Sequence, residues 1–125
     1  VLGTPAYMAP EQARGEDRAV GPATDVFVAG AGLFHLLTGR PPVGTGAGIQ
    51  EAVRRLTEGS YPRPRDVRPD VPAELDAVCA RAMAFRPEDR YPTAAALAAD
   101  LRAFLAGKPV SVAPPRTLWG WLTGR

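Results

Sequence analysis

Few side chains in this 125-residue sequence are spaced for chemistry of their own. Val43–Gly48 reads VGTGAG, the nearest approach to a phosphate-cradling glycine loop. It lacks the third glycine of G-x-G-x-x-G, because Ile49 stands there, and no strand pattern precedes it. The segment reads as a flexible lead into a helix. Cys79 is the sole cysteine, so it forms no internal disulfide, and no metal-ligand spacing surrounds it. It falls on an apolar helix face, where a buried, reduced thiol is expected. His35, the sole histidine, lies in an apolar stretch and reads as a packed or hydrogen-bonded imidazole rather than a ligand. Arg63, Arg65 and Arg68 stand among prolines with no aromatic residue between them, which suits a solvated loop better than a base-stacking surface.

The elements that would position such groups are helical. Thr24–Arg40, TDVFVAGAGLFHLLTGR, is apolar nearly all round, with Val26, Phe27, Val28, Ala29, Leu33, Phe34, Leu36 and Leu37. Such a helix is expected to be the buried axis of a domain. Thr24 and Asp25 offer acceptors to its first donors, while Thr38-Gly39 before Pro41-Pro42 is a plain stop. Gly30 and Gly32 cost helix propensity and mark places where another segment comes close. Ahead of this rod, Thr4-Pro5 and Ala9-Pro10 dictate a structured loop, and Pro10–Ala13 opens a helical turn with Glu11 in it. After it, Ile49, Ala52, Val53 and Leu56 mark an amphipathic helix ending near Gly59, and Ser60–Pro72 reads as an extended surface loop. Leu75, Val78, Cys79, Ala82 and Met83 form a core-facing stripe. Thr93 caps a last helix with the stripe Leu97, Leu101, Phe104 and Leu105. No strand alternation stands out, so the fold class is all-α, a bundle packed around one central buried helix.

A length of 125 residues holds one ordinary domain, and 46% hydrophobic with 22% charged residues is a globular composition. A net charge of +2 and a pI near 9.1 argue for neither a nucleic-acid nor a membrane partner. No signal peptide stands at the start and Val26–Leu37 is too short to span a bilayer, which makes a cytoplasmic protein the default.

Gly3-Thr4-Pro5-Ala6-Tyr7-Met8-Ala9-Pro10-Glu11 closely resembles the end of the activation segment of eukaryotic-like Ser/Thr protein kinases, with their Ala-Pro-Glu signature. Asp25-Val26-Phe27, Gly30, Leu33-Phe34 and Leu36–Pro42 resemble the central helix of the kinase large lobe. Arg86-Pro87-Glu88-Asp89-Arg90-Tyr91 resembles the loop carrying the family's late arginine. Ala94–Leu105 with Gly107-Lys108-Pro109 is similar to the last helix of bacterial members. The resemblance covers residues 1–112, a partial kinase domain beginning in mid-domain and lacking the β-rich N-lobe. Residues 113–125 form a tail or linker whose Leu118-Trp119-Gly120-Trp121-Leu122 suits a membrane-proximal position as well as a docked one.

The resemblance implies the roles. Gly3, Thr4, Pro5, Ala6 and Tyr7 would form the substrate-docking loop, with Thr4 bonded to a catalytic Asp and favouring Ser/Thr acceptors. Glu11 would pair with Arg90 as a structural anchor, and Asp25 would reach the backbone of the catalytic loop. His35 and Arg86 both depart from the family, which commonly carries acids there. Kinase chemistry needs a glycine loop, a strand lysine, a catalytic Asp with a nearby Asn, and a magnesium-holding Asp. In the family's order all precede Val1; Lys108 is the sole lysine and there is no asparagine. The chain is therefore expected to have no catalytic, cofactor or metal residues and to be inactive alone, ATP and Mg belonging to the complete kinase. Its expected partners are a protein or peptide substrate and the missing N-lobe and catalytic loop, and the complete parent could be membrane-anchored. The alternative is a non-catalytic remnant that binds peptides or proteins. With the preceding helix and loop missing, one face of the rod should be uncovered.

Overall fold

A computed structural model describes residues 5–43 and 48–112. Among the described residues the chain is helical, with no strand. A 3-10 turn, Pro5–Tyr7, precedes α1 (Pro10–Ala13), and a second, Asp17–Ala19, leads to α2 (Pro22–Thr38). Then come α3 (Gly48–Glu58), α4 (Pro64–Val67), α5 (Ala73–Ala82), a 3-10 turn at Pro87–Asp89 and α6 (Ala94–Leu105). Residues 44–47 of the glycine-rich lead and the tryptophan-bearing tail lie outside the described residues.

Helix α2 lies between two apolar clusters. Phe27, Ala31 and Phe34 face one, with Met8, Ala9, Val43, Ala52, Leu56, Cys79 and Met83. Val26 faces the other, with Val78, Ala82, Tyr91 and Leu97. Burying a side chain such as Phe27 or Leu56 is worth about 1.5–3 kcal/mol, so these clusters hold α3, α5 and α6 to the rod. Gly30 permits the closest approach: a Cβ there would lie 2.7 Å from the Ala82 Cβ and 2.9 Å from the Met83 Cγ.

The uncovered face expected of α2 is present, with Val28 and Leu36 37% and 86% exposed and Ala29 exposed too, but several other expectations need correction. With Asp25 and Gly32 these residues form one stripe at helical spacing, and a Cβ on Gly32 would meet nothing within 4 Å. No segment approaches Gly32 among the described residues. The helix begins at Pro22 rather than Thr24, because Pro fits the first helical position. Thr24, one turn in, accepts the Gly21 N–H at 3.1 Å. The C-terminal stop is as the sequence implies, with Gly39 left-handed at φ 83°. Ser60–Pro72 contains the short helix α4 rather than a wholly extended loop. Leu105 is 82% exposed, so the α6 stripe is narrower than its leucines suggest. Thr93 does cap α6, accepting the Ala96 N–H at 3.1 Å.

Candidate functional site

The site begins with a short helix that cannot hold itself. Four residues are too few for α1 to be stable alone. Pro10 presets its first turn, and the Gln12 Oε1 reaches back to the Ala9 N–H at 2.9 Å. What fixes it in the molecule is Glu11, fully buried against Arg90. The Arg90 Nη1 donates to the Glu11 Oε2 at 2.7 Å and Nη2 to Oε1 at 2.9 Å, a two-pronged pairing. Thr24 donates its hydroxyl to the same Oε2 at 2.7 Å. Burial opposes ionisation of Glu11, but the hydrogen bonds from Arg90 and Thr24 outweigh it and hold the carboxyl below its ordinary value.

Arg90 spends its remaining donors on backbone. Nε donates to the Ala84 carbonyl at 2.7 Å, Nη1 to Ala23 at 3.1 Å and Nη2 to Phe85 at 3.1 Å. Its guanidinium also lies 4.9 Å from the centroid of the Phe27 ring. One side chain thus joins α1, the start of α2 and the segment after α5.

Tyr7 is half-buried and its hydroxyl lies 2.7 Å from the His35 Nδ1, with the two rings stacked 5.9 Å apart. Pro5 opens the 3-10 turn, Ala6 is half-buried within it, and Met8 and Ala9 enter the core. Gly3 and Thr4 lie outside the described residues. Asp25 is exposed on α2 and makes no side-chain hydrogen bond among the described residues. The structure therefore brings Glu11 and Arg90 together and sets Asp25 apart on the exposed stripe. Arg86 lies at the surface with Glu88, at 3.0 Å.

Two further buried carboxylates were not read from the sequence. Asp76 accepts from Arg63 Nε and Nη2 at 2.9 and 2.7 Å and from the Arg65 N–H at 3.0 Å, so Arg63 is ion-paired while its side chain stays partly exposed. Asp100 accepts from the Tyr91 hydroxyl at 2.6 Å and from Ser111. Burial opposes ionisation of Asp100, but these bonds keep its carboxyl below the ordinary value. A signal was available: Asp76 shares a stripe with Cys79 and Met83, and Asp100 one with Leu97 and Leu101. An acid on an apolar stripe asks for a buried partner. Cys79 is buried, donates to the Gly30 carbonyl at 3.4 Å, and is pushed up by burial to about 12, an inert thiol at neutral pH.

Known proteins are similar to this sequence. It is 44% identical over 106 residues, 85% of the chain, to the Tyrosine-protein kinase MasK of Myxococcus xanthus (strain DK1622). It is 38% identical over 114 residues, 90% of the chain, to the Probable serine/threonine-protein kinase PknB of Bifidobacterium longum (strain NCC 2705). It is 43% identical over 101 residues, 81% of the chain, to the Serine/threonine-protein kinase PknB of Mycolicibacterium smegmatis (strain ATCC 700084 / mc(2)155). The chain belongs to the bacterial protein kinases. Its all-helical fold is that of part of the kinase C-terminal lobe, without the N-lobe. The chain covers 16% of the length of each of these relatives. No family model matches it.

Proposed function

We propose that this chain supplies the substrate-docking and scaffolding part of a Ser/Thr protein kinase and transfers no phosphoryl group alone. The observation that carries the reading is the buried Glu11–Arg90 pair, which holds the segment around Pro5–Tyr7 against α2. By resemblance Gly3, Thr4, Pro5, Ala6 and Tyr7 receive the substrate residue beside the phosphoacceptor, and Thr4 selects Ser or Thr. Asp25 and the stripe Val28, Ala29, Gly32 and Leu36 form the face on which the catalytic loop and its helix pack. An exposed apolar helix face in a globular chain supports that assignment.

ATP and magnesium belong to the complete kinase. The groups present do not fit them: Lys108 is the sole lysine, the sequence has no asparagine, and among the described residues no three His, Cys, Asp or Glu side chains converge. Phosphoryl transfer rests on charge placed around the phosphates, so the complete kinase takes those groups from outside this chain. Among the described residues no helix is long and apolar enough to cross a membrane.

Calorimetry with ATP-Mg and a Ser/Thr peptide array on the purified chain test this reading. The expected result is no nucleotide binding and weak peptide binding that Tyr7→Ala and Arg90→Ala reduce. Tight ATP-Mg binding would overturn it.

A further inference from the structure

The Asp100 cluster lies apart from the docking loop, and the proposed function makes no use of it. Helix α6 ends at Leu105, and Gly107, at φ +71°, turns the chain back while the Lys108 N–H bonds the Ala103 carbonyl at 2.8 Å. The returning strap, Lys108–Val112, lays Val110 and Val112 against the cluster of Val26, Val78, Ala82, Tyr91 and Leu97. It also brings Ser111 to Asp100. The Ser111 N–H donates to Oδ1 at 2.8 Å and its hydroxyl to Oδ2 at 2.7 Å, beside the Tyr91 hydroxyl on the same oxygen. Asp100 is buried, whereas Ser111 is exposed. A buried anion is thus closed off by a serine that solvent, and another enzyme, can reach.

We propose that Ser111 is a modification site acting as a latch: phosphorylation of its hydroxyl releases the strap from Asp100 and uncovers the apolar cluster beneath. A Ser/Thr protein kinase using ATP would form the bond from Oγ to the γ-phosphorus while the bond to ADP breaks, and the hydroxyl proton passes to solvent. The product has no hydrogen to donate to Oδ2. It also carries about −1.5 to −2 charge at neutral pH, set against a carboxylate that is already ionised. Arg81 is the cation at hand among the described residues. Its Nη1 is 3.5 Å from the Ser111 Oγ, and its guanidinium is spread over the Tyr91 ring at 4.3 Å. A single partly exposed cation faces two anions, so repulsion wins. The latch works apart from the docking loop.

The test installs phosphoserine at position 111 of the full chain and follows amide hydrogen exchange. The Ser111 amide, the one in the strap bonded to Asp100, should exchange about tenfold faster, the factor that losing one hydrogen bond implies, while the Leu97–Leu101 amides keep their protection. Binding of a hydrophobic dye should rise, and Arg81→Gln should enlarge both effects. Unchanged protection of the strap would overturn the latch. So would increased protection, the sign that Arg81 captures the phosphate and tightens the strap.

Discussion

Arg90 uses all five of its N–H groups, two on Glu11 and three on carbonyls. Lysine, with three donors on a point charge, cannot replace it. Removing one partner of a buried pair costs about 3–5 kcal/mol, so Arg90→Ala should destabilise the chain by that order. It should also speed hydrogen exchange of residues 5–12 far more than Arg102→Ala does, Arg102 being exposed. Equal protection in the two variants would refute the anchoring role. A pH dependence follows from Glu11 and Asp100. Each carboxyl is held below its ordinary value, 4.5 and 3.8, in the folded state. The stability they add is complete above that range and is lost as pH falls through it toward the lower folded-state values. Urea unfolding between pH 7 and 3 should record the loss, and Glu11→Gln should flatten it while lowering stability at neutral pH. The Glu11–Arg90 partnership was legible only through the resemblance, because the two residues lie 79 positions apart. The Tyr7–His35 pair and the Asp76 and Asp100 partnerships were not legible: which serine or arginine turns inward depends on how loops return to the core.

Element by element, helical periodicity located the main helices, and the stops at Gly39 and Gly59 were plain because both glycines are left-handed. What periodicity does not report is which side of a uniformly apolar helix meets protein. The sequence of α2 implies a central axis with one uncovered face, and only the packing says that Leu36, rather than Phe27 or Phe34, lies on that face. Gly30 and Gly32 make the distinction measurable. Gly30→Ala drives a methyl into Ala82 and Met83 and prises α5 from α2, an overpacking cost of about 1–3 kcal/mol against a propensity gain of up to about 1 kcal/mol. Gly32→Ala meets open space and keeps the gain alone. Thermal melts should shift in opposite directions, down for Gly30→Ala and up for Gly32→Ala; a shared sign would mean the α2–α5 contact is looser than the distances state.

For the molecule as a whole, the exposed stripe on α2 governs solution behaviour. Val28 and Leu36 beside Ala29 and Gly32 offer an apolar surface to dyes or to other copies. Leu36→Asp should suppress dye binding and self-association, read by fluorescence and sedimentation, while changing stability by no more than about 0.5 kcal/mol, as is usual for surface positions. Strong residual association in that variant would place the adhesive surface elsewhere. The three buried carboxylates share one design: Glu11, Asp76 and Asp100 each fasten an irregular segment onto helices, and no buried side-chain nitrogen or oxygen among the described residues lacks a partner. The span between Glu11 and Arg90 also sets an order of events during synthesis. At about 5–20 residues per second, a ribosome needs roughly 4–16 s to travel from the codon for Glu11 to that for Arg90. Throughout that interval Glu11 lacks the guanidinium of Arg90, so the segment it anchors waits on a loop translated 79 residues later.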